Sequence, residues 1–310
     1  MDIRAVTWFQ LTEKINLSME QLEAKLNSRK CRACPSNELE TMGWVSPFGD
    51  DSEVLLHTTN DYWLICAQKE ARLLPAAVIN DSVAEKVSRI EQAENRIVNK
   101  KEKSNIKEEM LFTLLPKAFI KKTQINIYYD PTNQLLAVCS SSKSQVDQAI
   151  TLLRNTLGSL KITPLSAKNE LANVMTNWLL SDDVPDEFSF GSDCEMLDVA
   201  KDNGSIKFNK QNLAEDSILR HLQEGKTVSQ LSLVWQSSLS FTLSKNFSLS
   251  RIKWLDLDVE DGPLDVNLDK AQLLDAGFVL VTKTLSIIIE KIINSAGGTS
   301  STILEAEVIV

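Results

Sequence analysis

The stretch TQINIYYDPTNQLLAVCS, residues 123–140, holds a run rich in β-branched and aromatic residues and an apolar run, QLLAVCS, on either side of a DPTN segment. Asp, Pro, Thr and Asn favour a tight reversal, so the stretch reads as strand, turn and strand, an antiparallel hairpin. Immediately after it, 144–157 has helical periodicity and is closed by Gly158. YWLICAQ (62–68) and MDIRAVTWFQL (1–11) read as further strands, and LSMEQLEAKL (17–26) as a helix capped by Asn16 or Ser18. Strands and helices are thus interspersed, with hairpins present. The expected fold class is α+β, with mixed, mostly antiparallel sheets.

The second half continues in the same manner. Helices are expected over 168–180, 215–224 and near 268–275, and strands at SIKFN (205–209), TVSQLSLVWQSSLSFTLS (227–244) and SRIKWLDLDV (250–259). FVLVT (278–282) reads as a strand and LSIIIEKII (285–293) as a helix, while the tail GGTSSTILEAEVIV (297–310) is weakly tied down. Three units are expected: 1–75 with 123–163 as a central α/β unit, 76–122 as a helical basic segment, and 164–310 as a second α+β unit.

Between 76 and 122 no glycine occurs, and no proline before Pro116. Residues 82–115 therefore read as largely helical, with Asp81 or Ser82 as N-cap. Val83, Val87, Ile90 and Ile97 fall on one face. On the same wheel Arg89, Arg96, Lys100, Lys103 and Lys107 cluster about 110° away at roughly 100° per residue. Asn105 and Glu108 resemble a capping box, where the helix could break and restart into Ile106, Met110, Leu111, Leu114 and Leu115 before Pro116 ends it.

Charge is distributed unevenly. The chain of 310 residues carries a net charge of −9, yet the window 96–122 has eight basic residues against three acids, a balance of +5. Such a segregated patch suits a phosphate backbone. In an acidic protein such a stripe is more often a solvated helix face.

The same sequence argues against several other classes. Its apolar runs fall short of the roughly 20 residues that span a bilayer, and its opening is unlike a signal peptide, so a cytoplasmic location without membrane attachment is expected. Five cysteines read as reduced thiols, and Cys31 and Cys34, a CxxC pair, lack a second pair or nearby histidines for zinc, so neither a metal nor another cofactor is expected. Gly225-Lys226-Thr227 imitates a P-loop ending, but Arg220 replaces the earlier glycine. Asp256, Asp258 and Glu260 imitate a calcium loop without its glycine, and their alternation with Leu255, Leu257 and Val259 reads instead as an edge strand. No nucleophile motif is present, and no catalytic residue is assigned.

MGWVSPFGD (42–50), ICAQKEARLLPAAVI (65–79), LLPKAF (114–119), LLRNTLGSLKITPLS (152–166) and NKQNL (209–213) together resemble, in order and over nearly the whole chain, the bacterial recombination-associated RdgC family. One departure is the start, where MDIRAV replaces that family's usual Met-x-Trp-Phe-Lys-Asn. The resemblance implies a homodimer closed into a ring that encircles double-stranded DNA without sequence preference or cofactor. It also implies nucleoid association and functional antagonism toward the RecA recombinase. Basic contacts of the family fall on Arg96, Lys117, Lys210 and Lys226, with Gln211 beside Lys210, and its dimer-closing aromatic on Phe119. From residues alone, Phe119 also reads as an ordinary core aromatic, and Lys226 as either a projecting finger at a hairpin tip or a solvated turn. Two rival functions stand beside DNA binding, an acidic protein-binding scaffold and a metal-dependent nuclease.

Overall fold

The 123–140 stretch forms the hairpin its sequence specifies, and the central sheet grows around it. In the computed structural model, which describes residues 3–49, 52–59, 62–198, 204–255 and 270–300, the first half of the chain runs β1 (Thr7–Leu11), α1 (Met19–Asn27), β2 (Glu40–Val45), β3 (Leu56–Thr59), β4 (Tyr62–Arg72), α2 (Ala76–Glu94), α3 (Lys100–Leu114), β5 (Ile120–Asp130), β6 (Leu135–Val138), α4 (Lys143–Leu157) and β7 (Ile162–Pro164). It continues with α5 (Leu171–Ser181), β8 (Phe188–Asp198), β9 (Gly204–Phe208), α6 (Asp216–Gln223), β10 (Thr227–Trp235), β11 (Leu239–Ser244), β12 (Leu249–Trp254) and α7 (Lys270–Ser295). One sheet has the order β2-β4-β5-β6-β1-β7 with β3 also on β4, and the other has the order β12-β11-β10-β8-β9. Every pairing between these strands is antiparallel. The fold is α+β, as the sequence predicts.

At the β5–β6 turn, Asp130 Oδ1 accepts from the backbone of Thr132 at 3.0 Å and Asn133 at 3.1 Å, and Oδ2 accepts from the Asn133 amide at 2.8 Å. These bonds satisfy a carboxylate that is 1% exposed, and they set the register Ile127↔Val138. Side chains then alternate between two cores. Ile125, Ile127 and Tyr129 face α1 and α4, while Tyr128 faces the second core with Leu64, Ala137 and the inner residues of the other sheet. On α4, Val146, Ala149, Ile150 and Leu153 are buried at helical spacing, and Gly158 ends the helix at φ 87°, a left-handed conformation that glycine adopts without strain. Ser18, of the two candidates, caps α1 through a reciprocal box with Gln21. In β2, Trp44 Nε1 donates to Thr156 Oγ1 at 2.8 Å within the core. Beside it, a Cβ on Gly43 would stand 2.5 Å from Cys31 Cα, so only glycine lets the 29–31 backbone cross there.

Several expectations differ from the structure. FVLVT is not a strand but the middle of α7, a single helix of 26 residues. Its β-branched residues disfavour helix by at most roughly 0.7 kcal/mol each, whereas burying an Ile or Val contributes about 1.5–3 kcal/mol. Phe278, Val281, Leu285, Ile288, Ile289 and Ile292 are all buried at three- and four-residue spacing, so packing wins. Strands β2, β3 and β8 are short or mixed in polarity and are not evident in the sequence. The edge strand expected over 255–259 lies, but for Leu255, outside the described residues, as do residues 301–310 of the tail. Residues Thr299 and Ser300 are held against Ala167 and Ser166. Among the described residues, no helix is long and apolar enough to cross a membrane.

Candidate nucleic-acid interface

The helical basic segment is a hairpin of two helices and not one rod. α2 starts at Ala76 behind Pro75, five or six residues before the expected caps Asp81 and Ser82, because Pro75 supplies a fixed φ at a position needing no N–H. It stops at Asn95, which is left-handed at φ 52°. Asn99 begins α3, its side chain accepting from Glu102 N at 2.9 Å, so the cap is Asn99 and not Asn105, which lies inside the helix. Only Val83 of α2 and Ile106 of α3 are fully buried, and an ion pair from Lys86 to Glu109 joins the helices. Ile97 lies in the connection and is 87% exposed, not on the apolar face expected of it. The continuous basic stripe expected across 89–107 is therefore divided: Arg89 belongs to α2, Arg96 to the connection, and Lys100, Lys103 and Lys107 to α3.

Their charges differ in availability. Arg89 is paired with Glu85. Arg96 is gripped by Glu94 at 2.5 Å and, in bidentate fashion, by Glu102 at 2.6 and 2.7 Å. The bonds to Glu102 and then Glu94 raise the guanidinium pKa further, and Arg96 in turn holds the Glu102 carboxyl below its ordinary range. Lys100, Lys101, Lys103 and Lys107, by contrast, are exposed and have no hydrogen-bond or ion-pair partner among the described residues. Lys117, in the 3-10 turn Leu115–Lys117, is likewise exposed and unpaired.

Beyond that turn Phe119 is 84% exposed, so it is not a core aromatic of this chain, and Phe112 is 66% exposed. The turn is fastened by Arg72, whose guanidinium donates to the carbonyls of Leu115 at 3.0 Å and Ala118 at 3.2 Å and, from its other side, to Cys34 and Pro35 at 3.2 Å. Leu73 N donates to Phe119 O at 2.7 Å. Sequence reading misses Arg72. Its only signal is a lone cation at the end of a long strand, before the LLP that turns into α2.

The remaining candidates lie by the second sheet. Lys210, at φ 53°, donates its N–H to Asp193 Oδ1 at 2.9 Å, and Gln211 N donates to Ser192 O at 2.9 Å, so the NKQNL loop is pinned along β8 with the Lys210 side chain exposed. Lys226 occupies the helix-to-strand turn between α6 and β10, bonded to Glu224 at 3.1 Å with its side chain only 14% exposed. It is neither a projecting hairpin finger nor a solvated turn residue. Among the described residues no hydrogen bond or ion pair links the α3 lysines to Lys210.

Other chemistry is sparse. Cys34 is buried beside Glu70, which accepts its N–H at 3.0 Å, and Cys31 contacts Gln68. Burial pushes the Cys66 and Cys194 thiols up to about 12, far from the thiolate form that nucleophiles need. Among the described residues, no group of three or more His, Cys, Asp or Glu is arranged to hold a metal ion.

A family model described as "Putative exonuclease, RdgC" matches residues 1–299. The recombination-associated protein RdgC of Proteus mirabilis is 39% identical over 290 residues, which cover 94% of this chain and 96% of that protein. Its namesake in Yersinia enterocolitica is 35% identical with the same coverage. The chain belongs to the RdgC family of recombination-associated proteins.

Proposed function

We propose that the protein binds double-stranded DNA without sequence preference, closing as a homodimeric ring around the duplex and limiting access of the RecA recombinase. The observation that carries this reading is the row of exposed, unpartnered lysines on α3, continued by Lys117, in a chain whose net charge is −9. An acidic body with a local cationic strip attracts phosphate at that strip alone. Phosphate contacts of this kind position a duplex without reading its bases. Closure of a two-subunit ring needs two self-complementary contacts, and the exposed Phe119, whose carbonyl accepts from Leu73 N, offers apolar surface for one of them. In this reading Lys100, Lys103, Lys107, Lys117 and Lys210 face the backbone. Arg89, Arg96 and Lys226 contribute less, because carboxylates already neutralise them.

The test is a duplex-binding titration over a range of salt, on several unrelated sequences, with and without magnesium. Affinity is expected to fall linearly in log–log form with salt and to differ little among sequences. A flat salt response removes the electrostatic reading and favours a protein-binding scaffold. Shortening of the DNA with magnesium favours the exonuclease activity named in the family description.

A further inference from the structure

A cleft of about 730 Å³ lies apart from the α2–α3 lysines and from Lys210. It opens where the N-terminal segment runs along β12: Val6 pairs with Leu249, and Arg4 O accepts from Ile252 N at 3.0 Å. Arg4, Lys245 and Arg251 line it together with Ser141, Ser244 and Asn246. The Lys245 ammonium is exposed and unpartnered, and the hydroxyls of Ser141, Ser244 and Ser250 make no hydrogen bond among the described residues. The one carboxylate on the wall, Glu195, is 3.5 Å from Lys207. The cleft is thus a concave surface lined by donors, with the exposed Lys245 ammonium among them.

Its most unusual residue is Arg251. Ser240 pairs with Lys253 and Thr242 with Ser250, so Arg251 and Ile252 together oppose Phe241 alone. This is a β-bulge, and Arg251 occupies it at φ 53°, a left-handed conformation that an arginine adopts only at a cost. The bulge lets Ile252 enter the core while Arg251 stays at the cleft. There its guanidinium lies 3.1 Å from Asp193 Oδ2, the carboxylate whose other oxygen takes the Lys210 N–H. Asp193 thus ties Arg251, on the cleft, to the NKQNL loop.

We propose that this cleft is a second phosphate-backbone site, in which Lys245 and Arg251, with Arg4 beside them, hold one strand of the same duplex that passes Lys210. This inference rests on the DNA-binding reading above. Duplex backbone fits better than single-stranded nucleic acid because no aromatic side chain lines the cleft, and single-strand sites depend on stacking platforms. Ser and Asn hydroxyls and amides beside cations are the usual partners of phosphate and sugar oxygens. The divergent opening MDIRAV acquires a role here, since it supplies Arg4.

The experiment compares the full-length chain with Lys245→Gln/Arg251→Gln, and with Lys210→Ala, on duplex and single-stranded DNA of equal length. Removing the Lys245 ammonium should lower the salt slope by about 1, and removing Arg251, which Asp193 already partly neutralises, by less, so the double variant loses between about 1 and 2 on duplex, equally for unrelated sequences and at unchanged melting temperature. Retention of the full slope by the double variant, while Lys210→Ala lowers it, overturns the cleft site and leaves the DNA-binding reading standing. A salt-independent parent protein instead fails the DNA-binding reading itself. A loss larger on single strands than on duplex refutes the assignment to duplex backbone. Should the double variant not fold, Lys245→Gln alone, at an exposed turn, tests the same point through a slope lowered by about 1.

Discussion

Phe119→Ala separates assembly from folding, and its size follows from exposure. An aromatic side chain offers roughly 200 Å² of contact area, and at 84% exposure almost all of it is still available for a partner. At about 25 cal/mol/Å², and allowing for the Cβ that alanine retains, covering it contributes about 3 kcal/mol per side chain. A two-fold contact uses the residue twice, so even half of that area well buried leaves a loss of about 3 kcal/mol per interface, a factor of roughly 100 in its closure constant. The monomer has little to lose, since a side chain this exposed makes few internal contacts, and its stability should change by no more than about 0.5 kcal/mol. The assay is release from closed circular duplex measured beside release from linear duplex of the same length, with thermal unfolding as control. The variant should leave the circle far faster than the parent protein does, leave the linear form at a similar rate, and melt normally. Equal retention of variant and parent on circles, at normal melting temperature, refutes the role of Phe119 in closing a ring.

Lys100→Ala, Lys103→Ala and Lys107→Ala should each lower the salt slope of duplex binding by about 1, whereas Lys226→Ala should leave affinity unchanged at every salt, because Glu224 already neutralises that largely covered ammonium. Parallel titrations of the four variants check this ordering. Trp44→Phe removes the buried bond to Thr156 and should cost about 2 kcal/mol, read as a drop of several degrees in melting temperature. Arg96 lowers the folded-state pKa of Glu102, so their clasp across the α2–α3 connection is complete above the ordinary carboxylate range and is lost as pH falls through the lowered value. Amide exchange at 95–102 should therefore stay slow near neutrality and quicken, beyond its intrinsic pH dependence, only at strongly acidic pH. Glu102→Gln should remove that transition.

Local signals carried much of the fold. The turn at Asp130, the closing Gly158, the cap at Ser18 and the stripe of Val146, Ala149, Ile150 and Leu153 depend on neighbours within a few residues, and each is legible in the sequence. The excess of lysine over 96–122 is equally a property of the chain, as is the order of family segments. Tertiary structure decided what those charges can do. Arg96 and Lys226 look as available in the sequence as Lys103, yet their pairing with Glu102 and Glu224 depends on the backbone path through two turns. The same holds for α7, where β-branched residues follow helix geometry because burial outweighs propensity. Arg72 clasps carbonyls of two segments, each about forty residues from it, one on either side in the chain, and Arg251 joins Arg4 and Lys245 through a bulge in β12. Sequence alone determined the hairpin, the helices with strong caps and the sign of the charge, since these arise within a turn or two of chain. Which cations remain free and which form a cleft was decided only in three dimensions, because near neighbours form an ion pair only if the turn between them brings the side chains together, and a concave surface joins residues that the chain itself keeps far apart.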